Sequence, residues 1–177
     1  KDINISYPSN TQYIQHVVSK KNHQLGGHNY TLARDEDFTV LFHKAWQQQM
    51  WGEARSPSLI IRGGQSFGNH KELEGTIKIH IGRYLHVTTD LWLSEFQYTD
   101  TTQSAVENYS EWPQLPALPN TKNTEQYQYL FDNGPKPSRI ITLREKRRMR
   151  SKETHYIDHP HLGILVRMLP INSVSAQ

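Results

Sequence analysis

Residues 75–96 alternate apolar and polar side chains with almost no slip, and no other feature of the chain limits the fold so strongly. Ile77, Ile79, Ile81, Leu85, Val87, Leu91 and Leu93 share one parity; Lys78, His80, Tyr84, His86, Asp90 and Trp92 share the other. A period of two sends successive side chains to opposite faces of a strand, so the run reads as half-buried β-structure. It exceeds the roughly ten residues at the upper end of ordinary strands. A long strand bent at Gly82 is therefore predicted, with Arg83 as the one charge on the apolar face at that bend.

Residues 138–169 carry the second strong pattern. After Ile140, Ile141 and Leu143, cations recur at alternate positions: Arg144, Lys146, Arg148, Arg150 and Lys152. If extended, they form a ladder on one face, spaced about 6–7 Å apart. One bland reading is a row of solvated charges that guards a sheet edge against aggregation. Five like charges on one face repel one another, however, and Glu145 and Glu153 fall on the opposite parity. An anion seated on the row relieves that repulsion. Arg grips carboxylates bidentately, and aromatic rings stack on the faces of other rings. Tyr84, His86 and Trp92 are the rings offered, with packing as the alternative role for Trp92. The two segments together suggest a surface for an anionic, ring-bearing polymer.

The remaining elements are read more briefly. Residues 38–46 alternate Phe38, Val40, Phe42 and Trp46 with polar neighbours, which predicts a strand. Residues 58–62 form a short β-branched strand ended by Gly63-Gly64, and residues 11–20 a short helix capped by Ser9 or Asn10. Between residues 98 and 137 lie Pro113, Pro116, Pro119, Pro135 and Pro137 among Thr, Ser, Asn and Gln. Proline lacks the amide donor a ladder needs, so this stretch is read as a long connection, with a short helix at 124–131. Asp158, Pro160 and Gly163 separate two extended runs, 151–157 and 163–169, which predicts a hairpin. Residues 1–30 are a polar N-terminal segment and 171–177 a tail. The expected fold is α+β, mainly β: a single domain over 1–177 on a twisted antiparallel sheet with long bent strands, and a few short helices on its apolar face.

Composition removes several classes. There is no cysteine, which excludes disulfides, thiolate metal sites and cysteine nucleophiles. No apolar stretch approaches the roughly 20 residues that span a bilayer. Mean hydropathy is −0.76, so the core is expected in a few strands. Twenty Lys and Arg against 17 Asp and Glu, a net +3, permit an anionic partner without demanding one. Ten histidines predict that anion binding strengthens on mild acidification. His155, Asp158, His159 and His161 offer metal-ligand chemistry, but they straddle a tight turn and match no metal signature, so no metal and no cofactor is expected. Glu72, Glu74, Asp90, Glu95 and Glu153 cannot be paired from sequence into a glycosidase couple. No nucleophile elbow, phosphate loop or HExxH motif is present, so no catalytic role is assigned.

These same strings carry a family resemblance. Arg83-Tyr84-Leu85-His86 followed by Asp90-Leu91-Trp92-Leu93, then Arg147-Arg148-Met149-Arg150-Ser151, Glu153, His155-Tyr156-Ile157-Asp158-His159-Pro160 and Gly163-Ile164-Leu165-Val166, resemble the CsiV family of periplasmic peptidoglycan-binding proteins. The likeness extends more loosely to Phe38-Thr39-Val40-Leu41-Phe42-His43-Lys44-Ala45-Trp46. It implies a non-enzymatic wall-binding protein of Gram-negative bacteria that supports a class A penicillin-binding protein and its outer-membrane lipoprotein activator. Family members open with a secretion signal and an aromatic-led strand. This chain opens Lys1-Asp2-Ile3 with neither, and the expectation is a processed portion of a longer exported protein. The residues expected to touch peptidoglycan are Arg83, Tyr84, His86, Arg144, Lys146, Arg148, Arg150, His155 and Tyr156, with Arg147 and Arg167 as second choices. A basic sheet binding nucleic acid, or a protein–protein adaptor with no wall contact, is the alternative. Phosphate-dominated binding falls steeply with salt, and nothing here matches the glycine-aromatic strand motifs of RNA-recognition sheets, so no nucleic acid partner is expected.

Overall fold

The computed structural model describes residues 3–5, 16–68, 70–96, 113, 115 and 137–171. The strands are β1 (Ile3–Ile5), β2 (His16–Val17), β3 (Trp46–Gln47), β4 (Ser58–Phe67), β5 (His70–Ile81), β6 (Leu85–Phe96), β7 (Pro137–Met149), β8 (Thr154–Ile157) and β9 (Ile164–Arg167). Five of them make one antiparallel sheet in the order β1-β4-β5-β6-β7, while β2-β3 and β8-β9 are separate two-stranded ribbons. The fold is α+β, mainly β, on an antiparallel sheet, as the alternation predicts.

The register explains why the alternation is so regular. Ile77 opposes Leu59, Ile79 opposes Val87, Ile81 opposes Leu85, and Leu91 opposes both Gly75 and Leu143. Odd-numbered residues therefore stack on odd-numbered residues across four strands. Leu59, Ile61, Leu73, Ile77, Ile79, Val87, Leu91, Leu143 and Met149 form one buried cluster on that face, joined by Ile157. The bent strand expected over 76–96 is instead the hairpin β5–β6. Its turn holds residues 82–84, closed by the Gly82 amide donating to the Tyr84 carbonyl at 3.0 Å. Three turn residues leave Ile81 opposite Leu85, so apolar parity passes through the turn unchanged. A period-two pattern has no means of telling such a turn from a bend.

Other expectations need correcting. Residues 38–45 are not strand; only Trp46–Gln47 is, paired with His16–Val17. The stretch crosses the apolar face as a loop, laying Leu41, Phe42, Trp46 and Met50 on the core. Its packing does not follow the alternation, since neighbours Leu41 and Phe42 both reach the core while Phe38 is exposed. Nor does β4 stop at Gly63-Gly64: it continues to Phe67 through a bulge between Gly63 and Ser66. Close approach explains the first glycine, since a Cβ on Gly63 would run into the Leu41 carbonyl oxygen. The predicted helix at 11–20 lies partly outside the described residues; within them, His16–Val17 is strand and Lys20–Asn22 a 3-10 turn. Helix α1 (Gly26–Leu32) has no buried residue. Among the described residues, no short helix places a buried residue on the apolar face. The 38–51 loop and the hairpin β8–β9 cover it, the latter through Leu162, Ile164, Val166 and Met168. That hairpin is present as expected and forms a second layer apart from the main sheet. The connection expected at 98–137 and the helix at 124–131 fall outside the described residues, apart from Pro113, Leu115 and Pro137, and Pro137 already opens β7.

Two local features hold the far end of the sheet. Glu74 is 1% exposed, yet its carboxylate accepts from Arg62 Nε at 2.9 Å, His70 Nδ1 at 2.9 Å and the Lys71 amide at 3.1 Å. A buried carboxylate needs such partners to offset its desolvation. Phe67 and Phe96 stack with ring centroids 4.0 Å apart.

Candidate functional site

The even-numbered face of β5, β6 and β7 is the polar one, and register fixes its rows. Arg148 opposes His86, which opposes His80; Lys146 opposes Thr88, which opposes Lys78; Arg144 opposes Asp90, which opposes Thr76. Three members of the predicted cation ladder thus share one strand face as expected. Arg150 lies just past the end of β7, and Lys152 sits in the following turn at a φ of 69°.

The ladder is less bare than alternation suggests. Arg144 Nε donates to Asp90 Oδ1 at 2.8 Å, and Lys146 Nζ donates to both oxygens of Glu53 at 2.7 and 2.8 Å. Arg150 faces Glu153 at 3.7 Å, and Arg147, on the other face, pairs with Glu145 at 3.2 Å. Arg148 differs. Among the described residues it has no carboxylate partner, and its guanidinium carbon lies 3.3 Å from the centroid of the Tyr84 ring. Arg83 approaches the same ring at 5.6 Å. Cations over a tyrosine face are attracted by its quadrupole, which holds ring and guanidinium together while leaving the N–H edge of Arg148 free to donate. Tyr84 is 37% exposed and Arg148 is exposed as well. Next to them the imidazoles of His86 and His80 stack nearly parallel, 5.2 Å apart.

Arg83, Tyr84, His86, Arg144, Lys146 and Arg148 are therefore gathered at the β5–β6 turn and along its neighbour β7. His155 and Tyr156 are not. His155 Nε2 accepts the Arg150 amide at 2.9 Å, which closes the turn between β7 and β8. Tyr156 is 59% exposed on the outer side of the β8–β9 hairpin, whose inner side packs against the apolar face. Its ring covers Gly163, and a hydrogen bond to Asp158 raises its hydroxyl pKa above the usual tyrosine value. Their place in a long string carries no information on layer. Trp92 is 2% exposed, so it is a packing residue.

The site also contains residues that pattern reading passed over. His80 is 3% exposed, its Nδ1 has no hydrogen-bond partner among the described residues, and its Nε2 lies 3.6 Å from Glu53. Burial lowers its pKa; Glu53 pulls the other way, and His86, Lys146 and Lys78 add to the lowering. His80 therefore resists the protonation expected of the histidines on mild acidification. Its parity with His86 was a usable signal. Glu53 had none, because it reaches the face from a loop distant in sequence. Glu53 is held below the usual carboxylate range, chiefly by its hydrogen bond from Lys146.

A second cationic locality lies at the β4 bulge, where a shallow cleft of about 170 Å³ is lined by His43, Lys44, Arg62 and Lys71 among others. The His43 pKa is lowered by burial first, then by His23 and Lys20. Among the described residues no three His, Asp or Glu side chains converge as metal ligands, and no helix is long and apolar enough to cross a membrane. His161 Nε2 is instead 3.0 Å from Arg139 Nη2.

Comparison with curated proteins and with solved structures gave no match. A family model described as "Peptidoglycan-binding protein, CsiV" matches residues 9–171, nearly the whole chain. The chain belongs to the CsiV family of peptidoglycan-binding proteins.

Proposed function

We propose that this member of the CsiV family binds peptidoglycan in the periplasm without cleaving it, through the polar end of the β5–β6–β7 face. The observation that carries the reading is the exposed Tyr84 ring with Arg148 stacked on it, beside His86 and Lys146. Peptidoglycan presents sugar rings with apolar faces and peptide stems ending in carboxylates. A tyrosine face suits the first, and a guanidinium with unengaged N–H donors suits the second.

The carboxylates support binding rather than hydrolysis. A glycosidase acid needs a carboxyl held in apolar surroundings. Glu74 is buried but tied to Arg62 and His70, and Asp90, Glu95, Glu145 and Glu153 each face a cation near the surface. The family membership further supports a role beside a class A penicillin-binding protein and its outer-membrane lipoprotein activator, with the wall contact bringing the chain to the site of synthesis.

Co-sedimentation with purified, nuclease-treated sacculi across a salt series tests the reading. Wild-type chain should pellet at moderate salt, and Arg148→Glu should pellet several-fold less while keeping its melting temperature. Absence of pelleting by folded wild type at every salt concentration, or equal pelleting by both, refutes it.

A further inference from the structure

Glu53 belongs to a loop, yet its carboxylate sits on the polar face of the sheet. The loop is pinned where it crosses the edge. The Ile81 amide donates to the Trp51 carbonyl at 2.8 Å, Ser56 Oγ donates to the same oxygen at 3.0 Å, and the amides of Arg55 and Ser56 both donate to the Gly52 carbonyl at 3.0 Å. So anchored, residue 53 is carried over His80 and across to β7. Both its oxygens receive Lys146 Nζ, one lies 3.6 Å from His80 Nε2, and Lys78 adds positive potential. Cations and an imidazole from two strands of the sheet thus surround one carboxylate, adjoining the Tyr84–Arg148 stack.

Resting on the peptidoglycan reading, we propose that this is a carboxylate-binding subsite and that Glu53 is its tethered internal occupant, displaced when a stem-peptide carboxylate of the wall enters. Three observations carry the assignment. The group held there is itself a carboxylate, gripped through both oxygens. The ion pair is half exposed on either side, at 49% for Lys146 and 56% for Glu53, so it adds little to stability and yields readily to a competitor. Finally, Arg148 stands in the next row of the sheet without a carboxylate of its own among the described residues, so a ligand bridging both rows would meet one open donor and one occupied one. A second carboxylate cannot settle beside Glu53 without like-charge repulsion, so the loop residue gives way.

The test uses Glu53→Gln, which keeps shape and removes charge, with native sacculi and with sacculi whose carboxyls have been converted to amides. Removing an exposed competitor of this strength should tighten binding to native sacculi about one-and-a-half- to fivefold. The gain should vanish on amidated sacculi and in the double variant Glu53→Gln/Lys146→Gln. Lys44→Gln, at the distant cleft, should leave the gain intact. If Glu53→Gln pellets no better than wild type on native sacculi, Glu53 is only a surface partner of Lys146 and the inference fails, whereas the peptidoglycan reading stands on the wild-type result. A gain that persists on amidated sacculi also overturns it, since the anion read there would then be a phosphate or no anion at all. Pelleting by the variant alone overturns both readings, because wild type then does not bind the wall. Pelleting by neither overturns both readings.

Discussion

Gly75→Ala should be among the most damaging small substitutions in this chain. Gly75 lies in the middle of β5 with φ of 134°, a conformation that L-residues rarely adopt. A Cβ there would collide with the Asp90 carbonyl oxygen and stand 2.6 Å from the Leu91 Cα, both backbone atoms of β6. No rotamer change relieves a clash with backbone, so either β5 leaves its φ or β6 moves off. Strain at such a φ costs about 1–3 kcal/mol, and forcing a methyl into packed structure about 1–3 more. The sum, about 2–6 kcal/mol, is a large share of the roughly 5–15 kcal/mol that holds a domain together. With a urea m-value near 2 kcal/mol/M, the unfolding midpoint should fall by about 1–3 M. Tryptophan fluorescence reads this directly, since buried Trp92 sits in β6 opposite Glu74. Gly82→Ala is the control: nothing lies within 4 Å of its would-be Cβ and its φ is ordinary, so it should stay within about 0.5 kcal/mol of wild type. A loss at Gly75 below about 1 kcal/mol, or an equal loss at Gly82, refutes the argument that a backbone contact selects the glycine.

Three further outcomes are expected. Glu74→Gln should destabilise by about 3 kcal/mol in the same assay, because Arg62 and His70 lose the charge they share; a loss under 1 kcal/mol would show the carboxylate to be dispensable. Stability should fall on acidification below about pH 6.5, because His43 and His80 have lowered folded pKa values and the unfolded chain takes up those protons first. Their contribution is intact above that pH and is lost as pH drops through the folded values; melting temperatures from pH 7.5 to 5 that stay level would contradict this. Tyr84→Ala should weaken sacculus binding about tenfold and Tyr156→Ala hardly at all, since only the first lies beside Arg148. Equal effects in a pelleting titration would mean that the site extends to the outer hairpin.

Which residues share a face is legible in the sequence alone. Ile77, Ile79, Val87, Leu91 and Leu143 were readable as one apolar set, and Arg144, Lys146 and Arg148 as one cationic row, because a pleated strand converts sequence parity directly into sidedness. The same parity misled over residues 38–46, where apolar side chains descend onto the core from a loop. It was silent on whether residues 82–84 turn or bend. His155 and Tyr156 follow Arg148 and Arg150 closely along the chain, yet they lie apart from the other candidates in space. Two layers separate near neighbours in sequence once β7 gives way to the β8–β9 hairpin.

Periodicity, composition and the family strings by themselves determined the class of fold, the polar and apolar sides of the long strands, and the kind of protein this is. These depend on local geometry and on side-chain types, both written residue by residue. Only the tertiary structure decided what each charge meets. Arg144 finds Asp90 through strand register, Lys146 and His80 meet Glu53 through a loop crossing the sheet edge, and Arg148 settles on the Tyr84 ring. Ion pairing is a contact of a few ångströms between residues as many as 93 positions apart. No local pattern encodes that separation; the packing of the sheet does.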